Sequence, residues 1–474
     1  MRLSQLLEGT GHTGPLSHDP EITGISYNTA TLQPGDLFVA LRGYKTDGHK
    51  FIPQAREKGA AAILAEEGED VILVPDSRLA LSVVSANWFG HPAGELTMIG
   101  VTGTNGKTTS TTLLWEVLGE TLGTKVGLIG TNENRIGNAV IPTERTTPDS
   151  YELQKLLREM KDAGCTHVVM EVSSHALCLD RVEGIRFAVG AFSNLTQDHL
   201  DFHKTMEAYR EAKGRLFAQS GIAVLNIDDE AGRYYAETAP CPVITYARDG
   251  GADLRATDVR LLPDRVEFEA VAGEERVHVG LGIPGGFSVY NALCALGCAL
   301  ALGIPLTKAA QALAHAHGVK GRMEVVSTPG KGTVLIDYAH TPDALENALT
   351  ALRDFTPGRL VCLFGCGGDR DKTKRPIMGE VAARLADLCV VTSDNPRSEE
   401  PQAIIDDILP GLAGYDTPRL VEPDREKAIG LALDLLEEGD VLLLAGKGHE
   451  TYQEVNGEKR HMDEREIVSR HFAP

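Results

Sequence analysis

The first part of the chain alternates short apolar runs with turn residues such as Pro34-Gly35-Asp36. The apolar runs lie at 37–41, 61–64 and 71–74. Runs of this length between turn residues are typical of buried strands. Residues 1–92 are therefore predicted to form a small α/β domain, with a boundary at His91-Pro92-Ala93-Gly94.

In the middle of the chain, longer apolar runs alternate with helical patterns such as Thr108 to Leu122. Strands are predicted at 96–101, 126–130, 166–172, 189–192 and 223–226. Buried strands that alternate with helices predict a mainly parallel sheet covered on both faces. The more polar stretch from Asp253 to Val279 predicts an antiparallel addition, and the central domain is assigned to 93–322.

The strand-helix pattern restarts after Gly321-Arg322-Met323-Glu324. Four further strands are predicted at 334–337, 360–365, 388–392 and 441–446. This pattern predicts a third, doubly wound, Rossmann-like domain over 323–474. The fold class is thus α/β, and we expect binding sites where ligand-type residues follow the strands, in clefts between domains.

Composition and charge limit the possible classes of function. A chain of 474 residues with 42% hydrophobic and 24% charged residues is typical of a globular protein of two to four domains. The 46 basic and 67 acidic residues give a net charge of −21, which argues against nucleic-acid or membrane-surface partners. An anionic ligand must then be bound by local Lys, Arg and backbone N–H groups.

The eight cysteines form no C-x-x-C pair and no His/Cys metal spacing. Scattered cysteines in apolar runs are typical of free thiols in a reducing compartment. No apolar run reaches the length needed to cross a membrane. We therefore expect a cytoplasmic protein without membrane insertion.

A glycine-rich stretch that follows the predicted strand at 96–101 carries the clearest chemistry. Its residues are Gly103, Thr104, Asn105, Gly106, Lys107, Thr108 and Thr109. Such a turn at the start of a helix presents N–H groups to phosphate, the lysine adds positive charge, and the next hydroxyl can hold Mg²⁺. Val101 replaces the first glycine of the eight-residue phosphate-loop pattern, so this is a shorter variant, and it predicts an ATP site.

Three further features of the central domain have both a functional and a structural interpretation. Glu171 ends a predicted buried strand, where it could share Mg²⁺ with ATP or cap a helix. The segment Asn194–His203 contains His199 and could equally be a capped helix start. Lys213, taken alone, is expected to be an exposed helical lysine.

Three loops after C-terminal strands hold polar residues: 337–342, 394–397 and 446–450. The sequence Asp394-Asn395-Pro396-Arg397 combines an acid, an amide and a guanidinium at a fixed turn. These groups suit a ligand with both ammonium and carboxylate groups. The alternative is a solvated turn with a surface arginine.

Together these motifs resemble those of the Mur ligases, from Gly35-Asp36-Leu37-Phe38 to Gly446-Lys447-Gly448-His449-Glu450. The resemblance implies ATP-dependent amide formation through an acyl phosphate, in peptidoglycan precursor synthesis. The form Asp394-Asn395-Pro396-Arg397 implies that meso-diaminopimelate is joined to the D-glutamate of UDP-N-acetylmuramoyl-L-alanyl-D-glutamate. Both substrates are small molecules, and we expect a monomer.

The resemblance also assigns roles to individual residues. Lys107 and the loop N–H groups would hold the β- and γ-phosphates, and Thr108 and Glu171 one Mg²⁺. His199 would bind a second metal together with Lys213, which is typically carbamylated in this family. The remaining nucleotide contacts would be Asn291 on adenine, Asp337 on ribose, and Arg322 and His340 near the phosphates.

The substrate contacts implied by the resemblance fall into two sets. For the UDP-linked substrate they are Thr29, Tyr44, Lys45, Thr46, Thr146, Thr147, Ser173 and Arg181. For diaminopimelate they are Arg370, Asp394, Asn395, Pro396, Arg397, Gly446 and Glu450, with Arg370 and Arg397 on carboxylate and Glu450 near the distal ammonium. Lys107, Glu171, His199 and Lys213 would form the catalytic set.

The chain departs from the family pattern at several substrate positions. The usual Asp-Ser-Arg near the uridine site is Asn28-Thr29-Ala30, and Arg145 and Leu179 replace an asparagine and a glutamine. Two alternatives stay open at this point. The first is the same ligation with L-lysine or another amino acid, and the second is a nucleotide-binding regulator that hydrolyses ATP slowly.

Overall fold

The computed structural model describes residues 1–13, 16, 18–43, 46–143, 145–249, 251–326 and 331–472, without the side chain of Asp201. Contacts within the chain divide it into two compact units. The first unit is Met1–Asp253 with Cys294–Pro305, and the second is Leu254–Leu293 with Leu306–Pro474.

The first unit begins with a parallel sheet in which β1 to β4 lie in sequence order. The strands are β1 (Ile25–Ser26), β2 (Leu37–Val39), β3 (Ala62–Ala65) and β4 (Ile72–Leu73), with helices α1 (Leu3–Leu6), α2 (Ile52–Glu57) and α3 (Ser77–Phe89). Helix α3 begins after Asp76, whose carboxylate accepts the N–H groups of Arg78 and Leu79, and ends at Gly90 in the left-handed region. The apolar runs predicted as strands here are confirmed.

A larger sheet follows in the same unit. Its strands are β5 (Thr97–Thr102), β6 (Lys125–Ile129), β7 (Asn134–Ile136), β8 (Ala139–Ile141), β9 (Cys165–Glu171), β10 (Phe187–Phe192), β11 (Ser220–Asn226) and β12 (Val243–Ala247). The order β12-β11-β10-β5-β9-β6 is parallel throughout, and β7 and β8 continue it as an antiparallel hairpin. Its helices are α4 (Lys107–Leu122), α5 (Ser150–Asp162), α6 (Ser174–Cys178), α7 (Leu200–His203), α8 (Met206–Ala218) and α9 (Glu230–Thr238).

The position of β5 between β9 and β10 determines where functional residues meet. Parallel strands end at the same edge of a sheet, so the glycine-rich turn after β5, Glu171 at the end of β9 and the loop after β10 lie together. The strands are apolar on both faces, as the predicted parallel sheet requires, and Met98, Val168 and Met170 belong to one buried core.

The second unit contains the predicted antiparallel addition, β13 (Leu254–Leu261), β14 (Val266–Ala272) and β15 (Glu275–Leu281). A second sheet contains β16 (Glu324–Val326), β17 (Thr333–Asp337), β18 (Leu360–Phe364), β19 (Leu388–Val391), β20 (Arg419–Val421) and β21 (Val441–Ala445). A hairpin of β22 (Tyr452–Val455) and β23 (Glu458–His461) follows. Helix α10 (Gly286–Ala301) begins in this unit and belongs to the first unit from Cys294 onward. The other helices are α11 (Leu306–Ala314), α12 (Pro342–Arg353), α13 (Lys374–Leu385), α14 (Pro401–Ile408), α15 (Arg425–Asp434) and α16 (Glu464–His471).

The sheet order β16-β17-β21-β18-β19-β20 is parallel except for β16. The four strands predicted in this region are confirmed. Because β21, β18 and β19 are neighbours, the loops that follow them meet at one edge of the sheet.

Two further expectations can be compared with the structure. Within the described ranges, no helix combines the length and apolar character needed to cross a membrane. All eight cysteines lie in the described part of the chain and none forms a disulfide; Cys178 and Cys241 are half-buried and the other six are buried.

Candidate active site

The glycine-rich turn after β5 is held tightly against the loop after β10. Gly103 has φ of +148°, and a Cβ at this position would collide with the Ser193 hydroxyl. The Thr104 N–H donates to Asn194 O at 2.8 Å and the Asn105 N–H donates to Asn194 Oδ1 at 2.9 Å. The turn therefore has a fixed shape before α4 begins: the close approach of the neighbouring loop requires glycine at 103, and a φ of +81° favours glycine at 106.

Two lysines donate to the same backbone carbonyl of this turn. Lys107 Nζ lies 3.0 Å from Gly103 O and 2.9 Å from Thr104 O, and Lys213 Nζ lies 2.7 Å from Gly103 O. The structure thus brings Lys213, from α8, to the phosphate loop. Its interpretation as an exposed helical lysine is wrong, since only 1% of the residue is exposed.

Burial changes the protonation of Lys213. Desolvation, together with the nearby charge of Lys107, lowers the pKa of Lys213 well below its usual value of 10.5. The ammonium also lies 4.4 Å from the centre of the Tyr209 ring. The exposed ring of His199 lies 6.2 Å from the same Tyr209 ring, so both residues of the predicted second metal pair lie near one tyrosine.

Glu171 is fully buried at the end of β9 and its carboxylate is held by one residue. Its Oε1 accepts the Thr131 N–H at 2.8 Å and its Oε2 accepts the Thr131 hydroxyl at 3.0 Å. A Cβ at Gly130 would lie only 2.6 Å from Oε1, so the glycine leaves room for the carboxylate. Glu171 caps no helix and forms no ion pair among the described residues, which favours the functional interpretation.

A chain of hydrogen bonds joins Glu171 to four predicted substrate residues. The Thr131 hydroxyl oxygen, whose proton goes to Glu171, also lies 3.0 Å from Thr146 Oγ1, and the Thr147 hydroxyl donates to the Glu171 carbonyl at 2.9 Å. The Ser173 N–H donates to Thr147 Oγ1 at 3.1 Å, and the Arg181 guanidinium donates to Thr147 O at 3.0 Å. The predicted contacts Thr146, Thr147, Ser173 and Arg181 therefore lie together, beside the acidic residue.

The donor groups at this edge fit ATP with Mg²⁺. Mg²⁺ is typically bound by one or two carboxylates and by the substrate's phosphates, and Thr108 and Glu171 provide hard oxygen donors. Among the described residues, no group of three or more His, Cys, Asp and Glu side chains is placed to hold a metal ion. Mg²⁺ bound here would therefore need phosphate oxygens as additional ligands. Lys213 fits a second metal only if its amine carries a carboxylate.

Several of the predicted contacts of the UDP-linked substrate line a cavity of about 400 Å³ in the first unit. Thr29, Thr46 and Arg181 line it, together with the departures Arg145 and Leu179. Tyr44 and Lys45 lie outside the described residues. The Thr29 hydroxyl donates to Gln54 at 2.8 Å, and Arg181 is paired with Asp149 at 2.6 Å.

In the second unit, Arg322, Asp337 and His340 lie around Tyr338. Asp337 Oδ2 accepts the Met323 N–H at 2.8 Å, and burial raises the pKa of this carboxyl. The Arg322 guanidinium lies 5.4 Å from the Tyr338 ring centre, and the His340 ring lies 4.6 Å from it. Asn291 is buried in α10.

The loops after β19 and β21 are joined by buried polar side chains. Asn395 Nδ2 donates to Glu450 Oε2 at 2.9 Å, and Lys447 Nζ donates to Asn395 Oδ1 at 2.7 Å and to Glu450 Oε2 at 3.1 Å. Asp394 and Asn395 are buried, so the interpretation of this loop as a solvated turn is wrong. Asp394 Oδ1 has no hydrogen-bond partner within the described part of the chain, and Lys447 Nζ lies 3.8 Å away.

Two arginines flank the loop after β18. Arg397 donates to Gly368 O at 2.8 Å and pairs with Glu454 at 3.3 Å, and its backbone has φ of +51°. A Cβ at Gly367 would lie 2.9 Å from the Arg397 guanidinium and 3.6 Å from Cγ of Arg370. Arg370 and Arg397 therefore approach the same point, while Gly446 lies beside Asp394.

Sequence reasoning missed three residues of these sites. Lys447 lies inside the motif at 446–450. Its position between two glycines, directly after a buried strand, was the sequence feature that could have indicated a role in the site. Arg78 lines the cavity of the first unit. Arg425 donates to the backbone carbonyls of Ser393 and Ala445, next to the loops after β19 and β21. Neither arginine lies in a recognisable motif, because each reaches its site through the tertiary fold.

Comparison with known proteins agrees with this arrangement. Three family models match the chain: "Mur ligase family, catalytic domain" at residues 21–98, "Mur ligase middle domain" at 101–299, and "Mur ligase, glutamate ligase domain" at 321–448. The chain belongs to the Mur ligase family, whose members use ATP to form amide bonds.

Among its relatives is the UDP-N-acetylmuramoyl-L-alanyl-D-glutamate–2,6-diaminopimelate ligase of Clostridium botulinum, which is 45% identical over 99% of both chains. A solved structure of a protein with the same name matches with a TM-score of 0.73, 32% identity, and coverage of 95% of this chain and 94% of the other. The MurF ligase of Thermotoga maritima in complex with ADP shares the fold, with a TM-score of 0.60, 22% identity, and coverage of 94% and 96%.

Proposed function

We propose that the protein joins meso-diaminopimelate to the D-glutamate of UDP-N-acetylmuramoyl-L-alanyl-D-glutamate, with conversion of ATP to ADP and phosphate. This reaction builds a peptidoglycan precursor. The observation that carries the proposal is one sheet edge whose loops hold both a buried acid oxygen without a hydrogen-bond partner among the described residues, Asp394 Oδ1, and two neighbouring arginines, Arg370 and Arg397. An amino acid with two carboxylates and two ammonium groups complements this set, and relatives of that name support it.

In the first step, the D-glutamate carboxylate attacks the γ-phosphorus of ATP, the bond to the β-phosphate oxygen breaks, and ADP leaves. Lys107 and the N–H groups of residues 103–109 hold the phosphates and stabilise charge as it develops. Thr108 and Glu171 would hold Mg²⁺, which supplies further positive charge to the phosphates. Thr146, Thr147, Ser173 and Arg181 orient the UDP-linked peptide next to Glu171.

In the second step, the neutral amine of the amino acid attacks the acyl carbon. The tetrahedral intermediate then expels phosphate and the amide bond is complete. Both steps bring anions together, so positioning and electrostatic stabilisation supply most of the acceleration. Arg322 and His340 are assigned to the phosphates, Asp337 to the ribose and Asn291 to the adenine.

Lys213 is assigned a carbamate. Burial lowers the pKa of Lys213 and so favours its neutral amine, the form that attacks CO₂ to give a carbamate and a proton. The product is a carboxylate-like group that, together with His199, provides the oxygen and nitrogen donors of a second metal site. The modification also replaces one of two neighbouring positive charges by a negative one.

In the amino-acid site, Arg397 and Arg370 are assigned to the distal carboxylate. L-Lysine lacks that carboxylate and would leave the guanidinium groups without an anionic partner. Glu450 and Asp394 are assigned to the ammonium groups. We assign the reaction to the cytoplasm on the basis of its nucleotide and amino-acid substrates, and the net charge of −21 argues against nucleic-acid partners.

The test is phosphate release from ATP and the UDP-linked dipeptide with meso-diaminopimelate, with L-lysine, or with no amino acid. Turnover with diaminopimelate alone is expected. Preference for L-lysine would overturn the assigned substrate but keep the ligase chemistry. Phosphate release that needs no amino acid would instead identify a nucleotide-hydrolysing regulator.

A further inference from the structure

A fully buried ion pair in the second unit lies next to the loops that follow β19 and β21. Arg425 begins α15 and Glu464 begins α16, and neither side chain is exposed. Arg425 Nε donates to Glu464 Oε1 at 2.8 Å, and the Nη2 atom lies 2.7 Å from the same oxygen. Glu464 Oε2 is buried without a hydrogen-bond partner among the residues the structure describes.

The remaining donors of Arg425 hold the ends of two strands. Nη1 donates to Ser393 O at 3.1 Å and Nη2 donates to Ala445 O at 2.8 Å. Ser393 directly precedes Asp394, and Ala445 directly precedes Gly446. One guanidinium therefore binds next to the carboxyl ends of both β19 and β21, which are separated in the sheet by β18.

This arrangement does more than stabilise the fold. Removing two charges from water is costly, and a buried ion pair is often no more stabilising than an apolar pair of the same size. A planar guanidinium, however, presents its N–H groups in fixed directions. Arg425 can thereby fix the distance between two backbone carbonyls, and with it the relative position of Asp394 and the loop at 446–450.

We propose that Arg425, held in place by Glu464, is a positioning residue for the amino-acid substrate. It sets the spacing between the loops after β19 and β21, so that both loops contact the amino acid at the same time. The inference rests on the proposed function, because it assigns the amino acid to these loops.

The experiment compares Arg425→Lys and Glu464→Gln with Arg359→Lys as a matched control. Lysine keeps the charge at 425 but cannot bind both carbonyls and Glu464 at once. The control residue, Arg359, pairs with Asp440 at the opposite, amino-terminal ends of β18 and β21. Melting temperature and the KM values for the amino acid, ATP and the UDP-linked dipeptide are measured for each variant.

The expected result is a rise in the KM for diaminopimelate of about tenfold or more for Arg425→Lys. A smaller rise is expected for Glu464→Gln, because the amide oxygen still accepts from Arg425. The other two KM values should stay within about twofold. Arg359→Lys should lower the melting temperature without changing the KM for diaminopimelate.

An unchanged KM for diaminopimelate, or a parallel change in all three KM values, would overturn the inference. Failure of both variants to fold would also overturn it, because the pair would then be a structural support. If the wild-type enzyme uses a different amino acid, the proposed substrate is wrong, but the same comparison made with that amino acid still decides the role of Arg425.

Discussion

Replacement of Asp394 by asparagine tests the amino-acid site directly. The side chain is buried, its Oδ1 lacks a hydrogen-bond partner among the described residues, and a Cβ at Gly446 would lie 3.6 Å from Oδ2. A hydrogen bond between this carboxylate and a substrate ammonium contributes about 1.5–3 kcal/mol. Since 1.4 kcal/mol corresponds to a factor of ten, Asp394→Asn should raise the KM for diaminopimelate by roughly 10- to 150-fold.

The assay is steady-state phosphate release with each substrate varied in turn. Glu450→Gln is the matched comparison, and it should raise the same KM by a smaller factor because Glu450 Oε2 already accepts from Asn395 and Lys447. The KM for ATP should not change in either variant. A KM for diaminopimelate that is unaffected by Asp394→Asn, in a protein with normal melting temperature, would refute the assignment of an ammonium to this carboxylate.

Four further outcomes are expected. Lys107→Ala should abolish phosphate release while leaving the melting temperature near that of the wild type, and an active variant would contradict the ATP site. Arg397→Ala should mainly raise the KM for diaminopimelate, whereas loss of kcat alone would assign it another role. Incubation with ¹³C-bicarbonate should give a carbamate NMR signal that is lost in Lys213→Ala; a signal retained in that variant would exclude Lys213 as the carbamate. Arg375 lowers the pKa of Glu399 to about 2, so the stability that this carboxylate contributes above pH 4.5 is lost as pH falls toward 2. Glu399→Gln should flatten the fall in melting temperature between pH 4.5 and 3, and an unchanged slope would be evidence against this linkage.

Most of the fold follows from local sequence patterns. The buried strands of both parallel sheets are continuous apolar runs, such as Val441–Ala445, and glycine or polar turn residues mark their ends. Short polar strands carry no such signal. The hairpin of Asn134–Ile136 and Ala139–Ile141 has no period-two alternation long enough to separate it from a loop, and it was not predicted.

Candidate site residues could be predicted where polar residues immediately follow strands, because parallel strands bring their carboxyl ends to one edge. The structure places Glu171 and Asp394 at such edges, where the sequence predicted them. Lys213 shows the limit of local reasoning, since its helix gives no sign of burial and only the resemblance to a family pointed to it. Arg425 reaches two strand ends from a distant helix, so no neighbouring residue indicates its role. The assignments of individual site residues and the domain boundaries stay predictions.

The loops after β19 and β21 belong to a different compact unit from the glycine-rich turn after β5. Under the proposed function, amino-acid choice and phosphate chemistry then depend on separate segments of the chain. We therefore expect mutations at 394–397 and 446–450 to change which amino acid is accepted without altering residues 103–109. We expect that a chimaera of this chain carrying these two loops from a lysine-adding relative would inherit the relative's selectivity, provided that Arg425 is retained to support them.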